Sequence, residues 1–234
     1  MLEVRKITKA YHHKSILQDV DFTLEPGLCL GVAGHNGSGK STLLSIIAQV
    51  LPPDKGDIFI DGTPLRDNRA LAGSMLGYVP QENSLLDDLT VKETLAFWQS
   101  VYGLPAAELF SPSSISVMLG LGQIRKKKIA QLSGGMQKRV SIAVALLRQP
   151  RLLLLDEALS ALDRSYRLAL EGYLAEYLKR GNSILYCSHE IGELIGFCGR
   201  ILVLRQGRKV FDGETAVFPT DAAALDALLN PDEA

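Results

Sequence analysis

The chain has 234 residues, of which 47% are hydrophobic and 22% are charged, and its formal net charge is -1. We expect this length to hold one substantial core with a smaller appended subdomain, and it excludes two large independent domains. The balance of 25 basic and 26 acidic residues provides no global attraction to nucleic acid or to acidic lipid. We therefore expect partners to be recognised locally, and we expect no nucleic acid among them.

The cysteines and the apolar runs indicate the cellular compartment of the protein. Its three cysteines are an odd number without CxxC spacing, which argues against a disulfide framework or a zinc site and fits a reducing compartment. No apolar run approaches the roughly 20 residues that cross a bilayer, and the N-terminus lacks the pattern of a signal peptide. We expect a cytoplasmic protein that does not insert directly into a membrane and acts on one only through a partner.

Two half-buried antiparallel strands are predicted at the start of the chain, at residues 2 to 8 and 17 to 24, where apolar and polar residues alternate. A continuous apolar run at residues 28 to 33 then predicts a strand that is buried on both faces. It leads through a glycine-rich loop into a predicted helix from Thr42 to Val50. Later strands alternate with helices, which predicts a mostly parallel sheet. The further predicted strands are residues 56 to 62, 76 to 81, 152 to 155 and 183 to 187, followed by a hairpin around Gln206 and Gly207.

A mainly helical segment interrupts this alternation. Thr90 and Glu93 have the spacing of a capping box, and helical periodicity begins there in a segment that runs to about residue 130. Ser133 is placed to cap a further helix, and Asp163 to cap the next one. The predicted fold class is therefore α/β, a core with a mostly parallel sheet, an N-terminal antiparallel β subdomain and an inserted helical subdomain.

We expect these parts to form one domain over residues 1 to 234. The core and the β subdomain would comprise residues 1 to 88 and 150 to 218, and the helical subdomain residues 89 to 149. Residues 219 to 234 are predicted to form a short C-terminal tail with one weak helix.

The glycine-rich loop has the pattern GxxxxGK[ST], with a strand before it and a helix after it. Its glycines let backbone N–H groups turn toward phosphates, and the helix presents its positive end to the same anion. Lys40 would reach the outer phosphates of a nucleotide, and Ser41 would ligate Mg²⁺. A plain turn rich in glycine and serine is the alternative, and His35 is expected to face solvent. The expected nucleotide-binding residues are Gly34, His35, Asn36, Gly37, Ser38, Gly39, Lys40, Ser41 and Thr42.

Two carboxylates follow the apolar strand at residues 152 to 155. In an open α/β sheet this is the edge where ligands bind. Asp156 is expected to hold the metal from behind its direct ligands, and Glu157 to orient or deprotonate a water in line with the terminal phosphate. Acidic residues that simply end a strand in solvent are the alternative.

A second glycine-rich helix start follows at Ser133, Gly134 and Gly135. Unpaired N–H groups and small side chains would let a phosphate approach the backbone there. The alternative is a serine cap followed by a glycine turn. This second anion site lies too far along the sequence to belong to the first loop, so the two half-sites suggest that two chains combine.

With these motifs the chain resembles the nucleotide-binding subunit of ATP-binding cassette (ABC) transporters over nearly its whole length. The resemblance implies that the α/β core is a phosphate-loop (P-loop) nucleotide-hydrolase core. The sequence LSGGMQ at residues 132 to 137 is similar to the family's signature sequence. The resemblance implies that the chain is an ATPase with ATP and Mg²⁺ as ligands. It also implies a head-to-tail dimer, either a homodimer or a pair of ABC subunits, in which the signature of one subunit closes on the ATP held by the other. The signature residues expected to act on the partner's ATP are Ser133, Gly134, Gly135 and Gln137.

Further roles follow from the resemblance alone. Gln81 matches the glutamine loop of the family, and His189 its switch histidine. Asp163 belongs to the D-loop, which communicates across the dimer, and Tyr11 matches the aromatic residue that stacks on adenine, with plain packing as the alternative. The catalytic residues would then be Glu157, His189 and Lys40, and the metal site would involve Ser41, Gln81 and Asp156.

The resemblance also implies an integral membrane permease as a partner. The permease would contact the region from Gln81 to Tyr102, with the loop at residues 83 to 89 as the expected centre. The segment from Leu89 to Leu104 is similar to single-subunit exporters of the ABC-2 kind. We therefore expect a subunit that powers export and lies peripherally on the inner face of the cell membrane, bound through the permease that selects the cargo.

One residue departs from the family pattern, because Ala158 stands where a proline usually follows the catalytic glutamate. We expect slower or less tightly gated hydrolysis at most, since proline would make this loop more rigid.

Three alternatives stay open. The first is an importer subunit, and the second is a soluble ABC ATPase of translation or repair, which would usually carry a second cassette or a long coiled-coil insertion. The third is an inactive regulatory subunit, and the presence of Lys40, Asp156, Glu157 and His189 argues against it.

Overall fold

The computed structural model describes residues 1–12, 14–66, 68–105, 109–218 and 228. Within these ranges the chain forms ten strands and seven α-helices, joined by loops and short 3-10 turns. The strands are β1 (Leu2–Tyr11), β2 (Lys14–Leu24), β3 (Cys29–Ala33), β4 (Lys55–Ile60), β5 (Thr63–Pro64), β6 (Leu76–Val79), β7 (Leu152–Asp156), β8 (Ser183–Cys187), β9 (Arg200–Arg205) and β10 (Arg208–Glu214). The helices are α1 (Lys40–Ile47), α2 (Arg69–Met75), α3 (Val91–Val101), α4 (Ile115–Met118), α5 (Gly134–Leu146), α6 (Arg164–Lys179) and α7 (Ile191–Phe197).

The strands divide between an antiparallel sheet and a mostly parallel one. The antiparallel sheet has the order β2-β1-β4-β5, and the larger sheet has the order β10-β9-β3-β8-β7-β6. In the larger sheet β9, β3, β8, β7 and β6 run parallel to their neighbours, and β10 pairs with β9 as an antiparallel hairpin. This arrangement confirms the predicted fold class, with its antiparallel subdomain at the N-terminus and a mostly parallel core.

Apolar packing covers both faces of the parallel sheet. All five residues are buried in each of β3, β7 and β8. Along β7, Leu152 and Leu154 pack into the cluster that contains α1 and the antiparallel sheet. Leu153 and Leu155 pack into the opposite cluster, with α5 and α6. Because both faces are dry, these strands carry continuous apolar runs where a half-exposed strand would alternate.

The predicted capping box at the start of α3 is confirmed. The Thr90 hydroxyl accepts a hydrogen bond from the Glu93 N–H at 3.2 Å, and the Glu93 carboxylate accepts one from the Thr90 N–H at 2.8 Å. Two backbone donors that a helix start leaves unpaired are thereby satisfied by side chains only three residues apart.

The rest of the helical subdomain is less regular than predicted. The expectation of a mainly helical segment to residue 130 is wrong beyond α3, because only the single turn of α4 and 3-10 turns at 121–124 and 129–131 follow it. Gly103 has a φ of 63° and Pro105 follows it, and both residues oppose continuation of a helix. Residues 106–108 lie outside the described ranges.

Several element boundaries differ from the sequence predictions. The helix predicted from Thr42 to Val50 is α1, which begins at Lys40 because Gly39, in a left-handed conformation at φ 106°, turns the chain directly into it. Asp163 occupies the capping position of α6, but its side chain makes no capping hydrogen bond, so the predicted cap is wrong in its chemistry. The short helices α2 and α7 were not predicted. The predicted C-terminal tail lies outside the described residues except for Leu228.

Candidate functional site

The glycine-rich loop joins β3 to α1 and folds around its own lysine. Lys40 is buried, and its Nζ donates to the carbonyl oxygens of Gly34 at 2.6 Å and His35 at 3.0 Å. Only glycine fits at position 39, because a Cβ there would lie 2.7 Å from Leu17 Cδ2. The loop therefore encloses a positive charge with backbone groups, an arrangement suited to phosphate.

The exposed and buried parts of the loop differ. His35, Asn36 and Gly37 are exposed, as predicted for His35, whereas Ser38, Gly39 and Lys40 are buried. Ser41 and Thr42 lie half-buried in the first turn of α1. The loop can thus receive a ligand from its open side while the lysine stays fixed beneath it.

Asp156 ends β7 as a buried carboxylate, and neither of its oxygens accepts a hydrogen bond of good geometry from the described residues. Burial raises the pKa of Asp156 from its ordinary value, as does the charge of Glu157, while the nearby Ser41 hydroxyl and the Lys40 charge act in the opposite direction. An unsatisfied carboxylate next to a serine hydroxyl suits Mg²⁺, which takes few protein ligands and keeps several waters. The described residues contain no cluster of three or more His, Cys, Asp or Glu side chains that would form a metal site by itself.

Glu157 is held from two sides. Its Oε2 accepts a hydrogen bond from Gln81 Nε2 at 3.0 Å, and its Oε1 lies 3.1 Å from His189 Nδ1. The strand order explains this meeting, because Gln81, Glu157 and His189 each follow one of the adjacent parallel strands β6, β7 and β8. Glu157 also has a φ of 49°, uncommon for a glutamate, and its N–H donates to the Cys187 carbonyl at 2.9 Å.

Lys138 is a functional candidate that the sequence reasoning missed. It is buried on α5, and its Nζ donates to the carbonyl oxygens of Pro80 and Gln81, both at 2.7 Å. Burial lowers the pKa of Lys138, and the charges of Asp156 and Glu157 oppose this shift. The only sequence signal was a pair of basic residues ahead of the apolar part of the helix. These two hydrogen bonds attach the backbone at Gln81 to α5, the helix that begins at Gly134.

The second glycine-rich motif forms the exposed start of α5. The Ser133 hydroxyl accepts the N–H of Met136 at 3.4 Å, as predicted for a cap. The position of a Cβ on Gly134 has open space around it. A Cβ on Gly135, in contrast, would lie 2.7 Å from the Ala161 carbonyl oxygen, so this glycine is required for close packing.

The remaining predicted residues lie in different surroundings. The Gln137 side chain donates to the Ile129 carbonyl at 3.2 Å and so packs within its own subdomain. Asp163 is exposed beside this helix start, in the loop that contains Ala161. Tyr11 ends β1 with its side chain 46% exposed, which leaves the ring available for stacking, and Lys9 Nζ lies 5.7 Å from the ring centroid.

No helix in the part of the chain that the structure describes combines the length and hydropathy needed to span a membrane.

Comparisons with known proteins agree with this site. The family model described as "ABC transporter" matches residues 17–160, more than half of the chain. The Nod factor export ATP-binding protein I of Sinorhizobium fredii is 35% identical over 230 residues, a match that covers 97% of this chain and 66% of that protein. The linearmycin resistance ATP-binding protein LnrL of Bacillus subtilis is 35% identical over 214 residues, covering 91% of this chain and 69% of that protein. The chain thus spans about two thirds of the length of these relatives.

A solved structure extends the comparison to shape. A dimeric ABC cassette in a post-hydrolysis state, bound to ADP and Pi, is 26% identical. The match has a TM-score of 0.82 and covers 93% of this chain and 100% of that one. Fold, motif order and sequence identity agree, and the chain therefore belongs to the ABC transporter family, as an ATP-binding and ATP-hydrolysing cassette.

Proposed function

We propose that this cassette binds ATP between two subunits packed head to tail, either two copies of this chain or this chain and a paired cassette. The phosphates would lie on residues 34 to 42 of one subunit, with Tyr11 stacked on the adenine. The exposed start of α5 on the other subunit, at Ser133, Gly134 and Gly135, would close the site. The open space around Gly134 supports this arrangement, because a phosphate can reach the backbone there.

The observation that carries the proposal is the placement of Glu157 between Gln81 and His189, at the edge of the sheet that also holds Asp156 and Lys40. A carboxylate oriented by two neighbours can align a water and accept its proton as that water attacks the terminal phosphate. Lys40 would stabilise charge on the phosphate oxygens.

Residues of the same site would also hold the metal ion. Ser41 and Gln81 would ligate Mg²⁺ and Asp156 would hold it from behind, and the unsatisfied carboxylate of Asp156 supports this assignment. When bound, Mg²⁺ supplies charge neutralisation on the phosphates. Asp163, in the loop beside Gly135, would communicate between the two sites of the dimer. Ala158 in place of the usual proline would make turnover slower or less tightly gated at most, because the Glu157 carboxylate is present.

We further propose that the cassette powers an exporter through an integral membrane subunit and lies on the cytoplasmic face of the membrane by this contact. The relative from Sinorhizobium fredii is named for export, which supports the direction. Exposed apolar residues of the helical subdomain and of the loop just ahead of it support a protein contact there, since Phe97 is 44% and Val101 56% exposed in the subdomain and Leu86 is 57% exposed in the loop. The proposed division places the core in residues 1–88 and 150–218 and this subdomain in 89–149.

Dimer formation by Glu157→Gln tests the central claim. We expect this variant to bind ATP, to lose at least about a hundredfold in turnover and to elute as a dimer when ATP is present. Adding Ser133→Arg should return it to a monomer without loss of ATP binding, because Ser133 is exposed and the larger side chain would collide only with the second subunit. Equal turnover by wild type and Glu157→Gln, or a monomer in saturating ATP, would contradict the proposal.

The membrane partner requires a separate experiment. The tagged cassette should co-purify with an integral membrane protein from membranes solubilised in mild detergent. Phe97→Asp should reduce this recovery, whereas Leu168→Asp, a change of an apolar residue on α6 that is more exposed than Phe97, should not. Recovery with ribosomes in place of membranes would contradict the transport assignment.

A further inference from the structure

Glu193 is a buried carboxylate on α7 that the chemistry proposed above does not use. Its side chain is only 6% exposed, and both carboxylate oxygens accept hydrogen bonds from neighbouring side chains. Its Oε2 accepts hydrogen bonds from the Tyr186 hydroxyl at 2.7 Å and the Ser188 hydroxyl at 3.0 Å. Its Oε1 accepts one from Arg167 Nη1 at 2.5 Å. A buried charge is tolerated when it is paired and hydrogen-bonded in this way, and the resulting network is rigid.

One arm of this network shapes the turn that carries His189. The Ser188 hydroxyl, besides donating to Glu193, accepts the N–H of Glu190 at 3.0 Å. The Ser188 N–H donates to the Val32 carbonyl at 3.4 Å, at the end of β3 and just ahead of the phosphate loop. Both backbone neighbours of His189 are thus fixed, whereas the His189 side chain is 49% exposed. The backbone of the turn, more than side-chain packing, therefore sets where the imidazole lies.

The other arm reaches α6. Arg167 donates to Glu193 through Nη1 and to Glu171 through Nε, the latter at 2.9 Å. Its own N–H donates to the Asp163 carbonyl at 3.0 Å, in the first turn of the helix. Arg167 is therefore rigidly attached to the loop that precedes α6, the loop whose Ala161 packs against Gly135.

The Tyr186 donor completes the carboxylate's environment. Burial, and then the hydrogen bond to Glu193, raise the pKa of Tyr186, so the phenol remains a protonated donor. Its ring packs edge-on against Phe197, with centroids 6.3 Å apart. Tyr186 and α7 therefore form a fixed base on which the Glu193 carboxylate is held.

We propose that Glu193 is a positioning residue that joins the first turn of α6 to the turn carrying His189, so that these two parts of the site move together. A shift of the loop at residues 160–163, which would lie at the subunit interface, is then transmitted through Arg167 and Glu193 to Ser188 and the imidazole. This inference rests on the proposed role of His189 in ATP hydrolysis. Through these contacts within its own chain, a movement at the dimer interface would shift the position of His189.

Two variants test the connection against a matched control. Ser188→Ala removes the hydroxyl that shapes the turn. Glu193→Gln replaces the carboxylate by an amide, in which only one of the two terminal atoms can accept a hydrogen bond. We expect each to lower kcat about tenfold while the KM for ATP stays within about twofold. Glu171→Gln removes the other carboxylate that Arg167 contacts and should leave both constants within about twofold of wild type. Ser188→Thr, which retains the hydroxyl, should restore kcat.

A double variant separates positioning from general stability. In a His189→Ala background, Ser188→Ala should cause less than about a twofold further loss of kcat, because the residue through which it acts is already absent. Losses that multiply in the double variant would overturn the proposal. So would an unchanged kcat in either single variant, or a rise in KM that follows a lower melting temperature.

Failure of the broader functional proposal would look different. If Glu157→Gln hydrolysed ATP at the wild-type rate, the assigned site chemistry and this connection would both be wrong. If Glu157→Gln is inactive and Ser188→Ala is fully active, only the Glu193 connection is wrong. Size-exclusion chromatography with ATP separates these cases further when each change is added to Glu157→Gln, since the positioning variants in this background should still form dimers.

Discussion

The nucleotide core and the helical subdomain are held together in different ways. In the core, three of the strands that end at the site, β3, β7 and β8, are buried along their whole length, and their parallel pairing fixes where each loop begins. The helical subdomain contains two longer helices, α3 and α5, joined through short turns, and exposes apolar side chains. Individual side-chain hydrogen bonds, such as the capping box at Thr90, therefore matter more there. Backbone pairing therefore fixes the part of the candidate site that lies in the core, while a few side chains set the position of the part that lies in the helical subdomain.

The two regions meet where α5 lies against the loop after β6. Lys138 bonds the carbonyls of Pro80 and Gln81 across this boundary. Beside it, the Asn83 amide donates to the Gly134 carbonyl at 3.4 Å, and the Ser141 hydroxyl donates to Asn83 at 3.3 Å. Changes at this boundary should have larger effects than changes inside the helical subdomain.

Replacing Lys138 should give the largest effect on stability. In Lys138→Met two carbonyl oxygens lose their donor, and we expect a loss of about 2–4 kcal/mol in the free energy of unfolding, with a reduced turnover of ATP. Urea titration followed by the fluorescence of Trp98, the single tryptophan and a residue of the helical subdomain, would measure it. Lys126→Met is the control, because Lys126 is exposed in the same subdomain. Equal midpoints for the two variants would show that the boundary does not depend on this lysine.

Substitutions of the two glycines at the start of α5 should distinguish a role in packing, at Gly135, from a role in the approach of a ligand, at Gly134. In Gly135→Ala the new methyl group would meet the Ala161 carbonyl, and we expect about 1–2 kcal/mol of destabilisation after the gain in helix propensity is subtracted. Gly134→Ala has open space and should not destabilise the monomer, yet it should weaken ATP-dependent dimerisation. Thermal unfolding and size-exclusion chromatography would check the pair. A stable Gly135→Ala would contradict the packing role assigned to that glycine.

Removal of the cap on α3 should have a smaller and local effect. Thr90→Ala removes the acceptor for the Glu93 N–H, and loss of such a cap typically costs about 1 kcal/mol. We expect faster hydrogen exchange in the first turn of α3, with exchange in β3, β7 and β8 unchanged. Faster exchange in those strands would mean that the two regions are less independent than described here.

The smallest expected effect is a pH dependence of the same cap. Hydrogen bonds from the Thr90 backbone and then its hydroxyl lower the pKa of Glu93 from its ordinary value of 4.5. The folded state therefore favours the ionised form, and the stability that Glu93 contributes is present above pH 4.5 and is lost as the pH falls through its lowered pKa. The difference in urea midpoint between wild type and Glu93→Gln should shrink as the pH is lowered from neutral through 4.5 and below. A constant difference would exclude a contribution from this ionisation.

Local patterns in the sequence were enough for much of this protein. The phosphate loop, the capping box at Thr90 and the cap at Ser133 join residues that are close in the chain, so their spacing alone predicts their geometry. The buried strands followed from continuous apolar runs. The helical subdomain was predicted less well, because Gly103 and Pro105 end the helix that the apolar periodicity after Thr90 predicts, and only short turns follow before α5.

Only the tertiary structure decided which distant residues meet. Glu157 lies between Gln81 and His189 because β7 lies between β6 and β8, and strand order is not written in any local pattern. The burial of Lys138 and Glu193 likewise depends on partners contributed by other elements, and a charged residue in a helix otherwise predicts a solvent-facing side chain. The sequence alone therefore determined the motifs proposed to bind phosphate. The packing of the strands and helices decided how those motifs are oriented, because hydrogen bonds between distant residues form only once the sheet has brought them together.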